Sequence, residues 1–421
     1  MRNKTRIGLM VDLQLAQTVG GTYTYYNTLL NAINEFDFND DIEIVNIVLF
    51  KKRIPVAKFK KPVIFIRGHS QNPVKSKLGK AINGRLKTLL KSNTLLISVY
   101  SFLEKINSAN IKKALNEHDI DLIYYLKPDF QDLDFPFIVN HWDIGHRSTY
   151  AFPEVTLDGN YELREDYYTK TLKKAFFILC ESEAGKAEFM RYYPFFDKRL
   201  KVLPIFGNSK LIEAHDSNSK VVFEAYNLSE GNFFIYPAQF WALKNHYNLI
   251  LAFRQFISKP KNDHYKLVLA GSDQGNLNYI KALLSELSLT GSVIITGFIS
   301  EETLKILITN AVAMVMPTFL GPTNMPLIEA AELGCPVLCS DLDGHREIMG
   351  ESALYFEPTD TDAICNCMEL ITSDPKNRQT LIQSASALIS ASKFQLNKSL
   401  LVLNNILSEA VVIRRTWGKN E

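Results

Sequence analysis

Apolar residues fall along this chain in short runs, with helically spaced stretches between most of them. The first run, Ile7-Gly8-Leu9-Met10-Val11, leads into a loop holding Gly20-Gly21 and then a helical pattern from Thr22 to Ile33. Strand, glycine turn and helix in that order open a doubly wound α/β unit. Runs at Ile42–Phe50, Val63–Ile66, Leu122–Leu126, Phe137–Val139, Ala175–Cys180 and Leu200–Ile205 continue the series. The alternation predicts a mostly parallel sheet with its ligand site at the carboxyl ends of the strands.

After Pro204 the texture changes. Gly207 to Gly231 is richer in Asn, Ser and Glu and reads as a linker with a helix inside it. A second series then starts at Phe233–Pro237 and the helix Asn245–Phe256, and runs through Tyr265–Ala270, Val293–Thr296, Val312–Met316, Val337–Cys339 and Ala353–Phe356. The expected architecture is α/β: two facing Rossmann-like domains, 1–206 and 231–395, joined by a linker at 207–230 across a deep cleft. The segment 396–421, strongly helical from Asn397 to Ile413, is expected to pack back across both halves.

Composition narrows the class. Hydrophobic residues make up 46% of the 421 and charged residues 22%, which excludes wholesale disorder. Apolar stretches such as the one ending Ala311 to Met316 fall short of the roughly 18 residues a membrane span needs. Arg2, Lys4 and Arg6 precede an apolar run too short for a signal peptide and closed by Asp12, so a cytoplasmic protein is expected. An odd set of cysteines (Cys180, Cys335, Cys339, Cys365, Cys367) points to free thiols, and Cys365-x-Cys367 has no zinc-spaced partner. His69, His118, His215 and His264 sit among polar neighbours and are expected at the surface. Tyr23, Tyr25 and Tyr26 are expected to pack helix against sheet.

Charge is unevenly spread. Between Glu43 and Glu104 there is no acidic residue, yet 13 of the 47 Lys and Arg lie there, leaving 34 against 45 acidic residues elsewhere. Within it Val74, Leu78, Ile82, Leu86 and Leu89 recur at helical spacing, with Lys77, Lys80, Lys87 and Lys91 opposite. A helix of this kind suits an anionic bilayer surface, each cation contributing about 1 kcal/mol. The basic stretch Lys51 to Lys91 is thus expected to touch a membrane. The bland alternative is a solvated face over a buried stripe. Nucleic acid is the rival partner and is not expected, since the stretch has few interleaved aromatics and no nucleic-acid fold is recognisable.

The chemistry concentrates in the second half. Pro317-Thr318-Phe319-Leu320-Gly321-Pro322-Thr323-Asn324-Met325-Pro326 carries a strand end through a Gly/Pro-rich loop into a helix start. Backbone amides at such a start offer an anion site suited to a pyrophosphate. Glu329, one turn on, is placed to accept both hydroxyls of a ribose, or else merely complements the helix dipole. No DxD or HExxH pattern occurs in a credible context, so neither a metal nor another cofactor is expected.

Longer motifs make the likeness specific. Pro326-x-x-Glu329-Ala330-Ala331-Glu332-x-Gly334-Cys335-Pro336-Val337, then Ser340-Asp341-Leu342-x-Gly344-x-Arg346-Glu347 and Ala353-Leu354-Tyr355-Phe356-x-Pro358-x-Asp360, resemble the signature of retaining glycosyltransferase family 4. Tyr236-Pro237-Ala238-Gln239-Phe240-Trp241-x-x-Lys244-Asn245-His246 resembles its diphosphate loop, and Ala270-Gly271-Ser272-Asp273 and Thr296-Gly297-Phe298 match in turn. In the first half the likeness rests on Gly20-Gly21, on Trp142-Asp143-Ile144-Gly145-His146-Arg147 with Pro153-Glu154, and on Ser182-Glu183.

The resemblance implies a GT-B fold and sugar transfer, with retention, from a UDP- or GDP-linked donor to a glycan or lipid-linked glycan, as in surface-polysaccharide assembly. The donor would lie mainly on the second domain and the acceptor mainly on the first. Glu329 matches the second Glu of the family's E-x7-E motif and would hold the ribose; Lys244 would neutralise the diphosphate. Leu327 and the loop Pro322, Thr323, Asn324, Met325 and Pro326 match positions whose backbone meets the phosphates and sugar. Gly20 and Gly21 match the loop that approaches the donor from the first domain, where a Cβ would obstruct. Asn245, Gly297 and Phe298 belong to the same donor-binding motifs. His246 and His345 lie within them too, with loop packing an equal reading.

Two departures stand out. Gly321 replaces the first Glu of E-x7-E, and Gln239 replaces the arginine that precedes the phosphate lysine by five residues. Losing one cation costs a few kcal/mol of leaving-group stabilisation unless another group compensates. They motivate an alternative, an inert GT-B module that binds nucleotide or glycan and supports a partner enzyme. In the first domain Asp143 and His146 follow a strand and are expected to reach the cleft. Trp142 stands where the family often has His; His141, one place earlier, either supplies that imidazole or caps the strand.

Overall fold

The structure, a computed structural model, describes residues 4–17, 20–50, 58–68, 94–128, 133–214 and 219–418. Its first half forms a sheet of β1 (Thr5–Val11), β2 (Ile42–Phe50), β3 (Val63–Arg67), β4 (Leu122–Tyr125), β5 (Phe137–His141), β6 (Phe177–Cys180) and β7 (Leu200–Val202). These lie in the order β3-β2-β1-β4-β5-β6-β7, and every pairing is parallel. The second sheet holds β8 (Phe233–Pro237), β9 (Lys266–Ala270), β10 (Val293–Gly297), β11 (Ala313–Met316), β12 (Val337–Ser340) and β13 (Leu354–Phe356). Its order, β10-β9-β8-β11-β12-β13, is likewise all parallel.

The two sheets share one winding rule. Each starts in the middle, builds outward to one edge, then returns to build the other. The direction of winding therefore reverses between β1 and β4 in one domain and between β8 and β11 in the other, leaving a crevice at each switch point. Side chains alternate across each strand, and in the first sheet both faces are covered. Ile7, Leu9, Leu122, Tyr124 and Leu179 pack on one side, Met10, Ile47, Ile123, Val139 and Ile178 on the other. Continuous apolar runs are what a doubly covered parallel strand requires.

Differences from the sequence reading are local. The run Leu200–Ile205 is strand only to Val202, because Leu203 to Gly207 carries the chain into the second domain. The stretch read as a linker is largely helical, Ser209–Glu213 and Ser219–Tyr226. The tail contains an apolar window long enough to span a membrane, longer than the runs weighed from sequence. It folds as two helices, Pro375–Ala391 and Leu396–Arg414, and buries Leu381, Ile389, Leu403, Leu407 and Val411 against the core. All five thiols are free.

Helix Leu396–Arg414 crosses back to the first domain, as expected. The Ser399 hydroxyl donates to the Pro204 carbonyl at 2.8 Å, inside the protein. Further along, Asn404 exchanges hydrogen bonds with Asn39, Lys201 pairs with Glu409, and Arg414 donates to the Asp121 carbonyl at 2.7 Å. Arg415 reaches the Thr5 hydroxyl at 3.2 Å.

Candidate active site

The loops that leave β1, β8, β10 and β11 at their carboxyl ends meet in the cleft between the domains. Two adjoining cavities lie there, of about 480 and 420 Å³, and Gly21, Gln239, Met325 and Pro326 line both.

Glu329 lies in the wall of the larger cavity with Gly20, Gly297 and Phe298. It is 6% exposed. Burial pushes its carboxyl up to about 7, with Glu332 and Glu301 adding to the rise and the Asn208 N–H opposing it. Gly20 has φ of +66°, and a Cβ there would stand 3.1 Å from the Gln239 side chain. Glycine thus lets the first domain close on the second at this point. Gln239 is held rather than loose: its Oε1 accepts from Trp241 Nε1 at 3.1 Å, and its Nε2 donates to Ser272 Oγ at 3.2 Å.

Lys244 marks the smaller cavity. Its ammonium donates to Asn324 Oδ1 at 3.4 Å. Burial lowers it to about 8, against the pull of Asp143 and Glu154. Asn324 in turn donates from Nδ2 to His345 Nε2 at 2.8 Å, while His345 Nδ1 donates to the Ser340 carbonyl at 2.7 Å. One proton on Nδ1 satisfies both contacts, so the imidazole is neutral and fixes which way the Asn324 amide points. Asn324 caps helix Met325–Glu332 without a side-chain bond to it, and no acidic residue occupies the first turn. The helix therefore presents its positive end to both cavities, beside the lysine.

The first domain contributes a charged network. Asp143 lines the smaller cavity, paired with Arg164 and accepting the Gly145 N–H at 2.8 Å. Burial alone would raise its carboxyl, but Arg164 and that N–H outweigh it and hold it below the usual range. His146 takes Arg164 Nε on Nδ1 at 3.1 Å and gives its Nε2 proton to Glu165 at 2.9 Å. Burial, then Arg164, depress it to about 4. His141 is buried beside Phe189, and its Nδ1 donates to the Tyr168 hydroxyl, which itself donates to the Asp143 carbonyl.

Most of the residues expected from the sequence meet here. Gly20, Gly21, Gln239, Gly297, Phe298, Met325, Pro326 and Glu329 line the larger cavity; Asp143, Lys244, Gly321, Pro322, Thr323 and Asn324 line the smaller. Four do not. His146 has both ring nitrogens engaged behind the wall, so its expected reach into the cleft is corrected: it supports Arg164 and Asp143. His141 sits one layer deeper and orients the Asp143 backbone. Asn245 turns away to staple the loop, donating to the Pro317 and Pro358 carbonyls at 2.8 and 2.7 Å. Leu327 is buried, and its N–H goes to the Asn324 carbonyl at 3.2 Å.

Two cleft residues, Arg164 and Glu181, were not singled out from the sequence, and a third, Glu154, only as part of the first-domain likeness. Arg164 sits in a polar helix, Asn160–Asp166, with no distinguishing pattern. Glu154 reaches across the cleft to accept the Leu243 N–H at 2.7 Å. Glu181 follows β6 directly, and a carboxylate at the carboxyl end of a buried strand was a legible signal. Tyr25 packs as expected, stacked on Phe206, yet also reaches the smaller cavity. Most of the basic stretch Lys51 to Lys91, including the helical pattern at 74–91, lies outside the described residues, as do His69 and His215.

Residues 219–387 match the family model for glycosyl transferases group 1. O-antigen chain mannosyltransferase B of Escherichia coli is 26% identical over 326 residues, which span 77% of this chain and 83% of that protein. Among solved structures, sucrose-phosphate synthase from Thermosynechococcus elongatus superposes with a TM-score of 0.70 at 18% identity, over 97% of this chain and all of that one. HepE of Anabaena, solved with UDP and glucose, gives 0.63 at 15%, over 97% and 99%. The fold is GT-B, and the matches support a glycosyltransferase with a relative in O-antigen synthesis.

Proposed function

We propose that the chain is a retaining glycosyltransferase of the family 4 kind, moving a sugar from a UDP- or GDP-linked donor to a glycan or lipid-linked glycan during polysaccharide assembly. The observation that carries this reading is the Lys244 ammonium, set beside an open helix N-terminus between a cavity holding Glu329 and one holding Asp143. A nucleoside diphosphate sugar needs such a series: a diol acceptor, a dianion cradle and a space for the sugar. The nucleoside lies in the larger cavity, its ribose on Glu329 and its base toward Gly297 and Phe298. The diphosphate crosses Gly20, Gly21 and Gln239 to the start of helix Met325–Glu332. That HepE binds UDP on the same fold is consistent with this placement.

Chemistry then follows from charge. As the bond from the sugar C1 to the phosphate oxygen breaks, negative charge grows on the β-phosphate, where Lys244 and the helix dipole meet it. The acceptor oxygen forms its bond to C1 on the face being vacated, and its proton passes to the departing phosphate oxygen. The first domain positions the acceptor around Asp143, fixed by Arg164. The basic stretch Lys51 to Lys91 holds the enzyme on the anionic inner face of the cytoplasmic membrane, where a lipid-linked acceptor is found.

A thermal-shift screen with UDP, GDP, CDP and dTDP identifies the donor base, since ligand at 100 times its dissociation constant adds about 2.7 kcal/mol. Release of that nucleoside diphosphate from its sugar form, dependent on acceptor, tests the activity. Tight binding without turnover on any matched acceptor would favour the inert module. Flotation with anionic but not neutral vesicles tests the membrane contact.

A further inference from the structure

Position 321 offers the donor sugar no side chain, and it has no room for one. A Cβ on Gly321 would run into the side-chain amide of Asn324, which His345 and Lys244 hold in place. The carboxylate that the family resemblance leads one to expect there is therefore absent for a packing reason, and the same cavity has another carboxyl. Glu181, 9% exposed, enters from the opposite domain. The Thr323 hydroxyl, two residues beyond Gly321, donates to its Oε2 at 2.5 Å. No other side-chain hydrogen bond to this carboxyl occurs among the described residues, which leaves Oε1 to the cavity.

We propose that Glu181, oriented by Thr323, is the group that hydrogen-bonds a hydroxyl of the donor sugar, taking from the first domain the place left empty at Gly321. This rests on the donor reading given above. Surroundings suit it to that work. Burial, with Asp143 adding to it, pushes Glu181 up to about 8, so at neutral pH it is mainly an uncharged acid. An uncharged acid both donates and accepts, and it adds no repulsion toward a neighbouring diphosphate. Because the contact spans the cleft, it exists only when the domains are closed, and it reads the sugar and not the nucleotide.

The test compares the nucleoside diphosphate with its sugar form by calorimetry, using the nucleotide found by the thermal-shift screen. Glu181→Leu keeps the volume and removes the polar atoms. It is expected to weaken the sugar form ten- to a hundredfold while the bare diphosphate binds within twofold of the parent. Glu181→Gln, which like the neutral acid has one donating and one accepting end, is expected to retain sugar-form affinity within about threefold. Thr323→Val shifts affinity in the direction of Glu181→Leu, by less. Equal loss for both ligands would mean a structural bridge between domains and overturn the proposal, as would an unchanged sugar-form affinity in Glu181→Leu. A parent protein that binds no nucleoside diphosphate at all sinks the donor reading, and this proposal with it.

Discussion

The Lys244 ammonium and the Asn324 side-chain oxygen lie 3.4 Å apart, and it is His345 that turns this oxygen toward the lysine. The lysine is thereby held at the mouth of the helix Met325–Glu332 by a chain of neutral groups, and among the described residues no carboxylate is bonded to it. An anion arriving there does not have to displace a salt bridge.

Lys244→Ala is accordingly expected to lower turnover at least a hundredfold, more than it weakens donor binding, because charge on the leaving phosphate peaks in the transition state. Adding Gln239→Arg in that background is expected to recover part of the loss, since Gln239 lines the same cavity. Steady-state kinetics decide it. Turnover within threefold of the parent would remove Lys244 from the phosphate site.

His345→Phe takes away the acceptor for the Asn324 amide while keeping a flat ring in the space. Asn324 is then free to rotate and present its NH2 to the ammonium. About a tenfold drop in kcat with donor KM within threefold is expected, together with a loss of roughly 1–3 kcal/mol in unfolding free energy from the orphaned amide. A variant with parental kcat would show that the relay does not position the lysine.

Glu329→Gln replaces a charged acceptor for two ribose hydroxyls with a single amide oxygen. Hydrogen bonds to charged groups contribute about 1.5–3 kcal/mol, so nucleotide affinity falls roughly ten- to a hundredfold with the fold retained. Calorimetry against the preferred nucleoside diphosphate measures it directly.

The pH profile joins these two residues. Donor binding needs Glu329 ionised and Lys244 protonated, and burial has brought them to about 7 and about 8. For donor, kcat/KM should rise through about 7 and fall through about 8, a narrow bell, and Glu329→Gln should lose its acid limb alone. Stability moves the other way with Glu329. Its folded value lies above the ordinary 4.5, so the folded protein binds the proton more tightly, and this group's contribution declines as pH rises from about 4.5 to about 7. Melting curves of parent and Glu329→Gln across that window show the difference.

Glu347, from the second domain, accepts the Glu183 and Ala184 N–H groups at 3.0 and 2.7 Å and so caps a helix of the first domain. Glu347→Ala leaves both amides open and is expected to cost about 1 kcal/mol. Because the cap spans the cleft, the radius of gyration in scattering should rise as well; no change in either would show that the contact does not hold the domains.

Much of this was legible beforehand. Apolar runs located the strands because parallel strands covered on both faces must be apolar throughout, and the loops after β8 and β11 announced themselves by Gly, Pro and Lys244. What misled was local adjacency. His146 stands three residues after Asp143, but the turn at Gly145 sends one side chain to the cleft and the other behind it. Arg164 and Glu181 come from different elements and become neighbours of Asp143 only through the winding of the sheet, which no spacing along the chain encodes. Asn245 sits next to Lys244, yet its left-handed backbone (φ +60°) aims it into the loop.

The bond from Ser399 to Pro204 ties together the two strands of chain that pass between the domains. Two independent tethers would let the halves slide and twist; tethers knotted at one point leave them a swing. Parting the halves further requires peeling the last helix from Asn39, Asp121 and Thr5, which removes apolar cover from the first sheet at the same time. Separation and melting thus share a barrier, and a protein with two sheets should denature in one cooperative step.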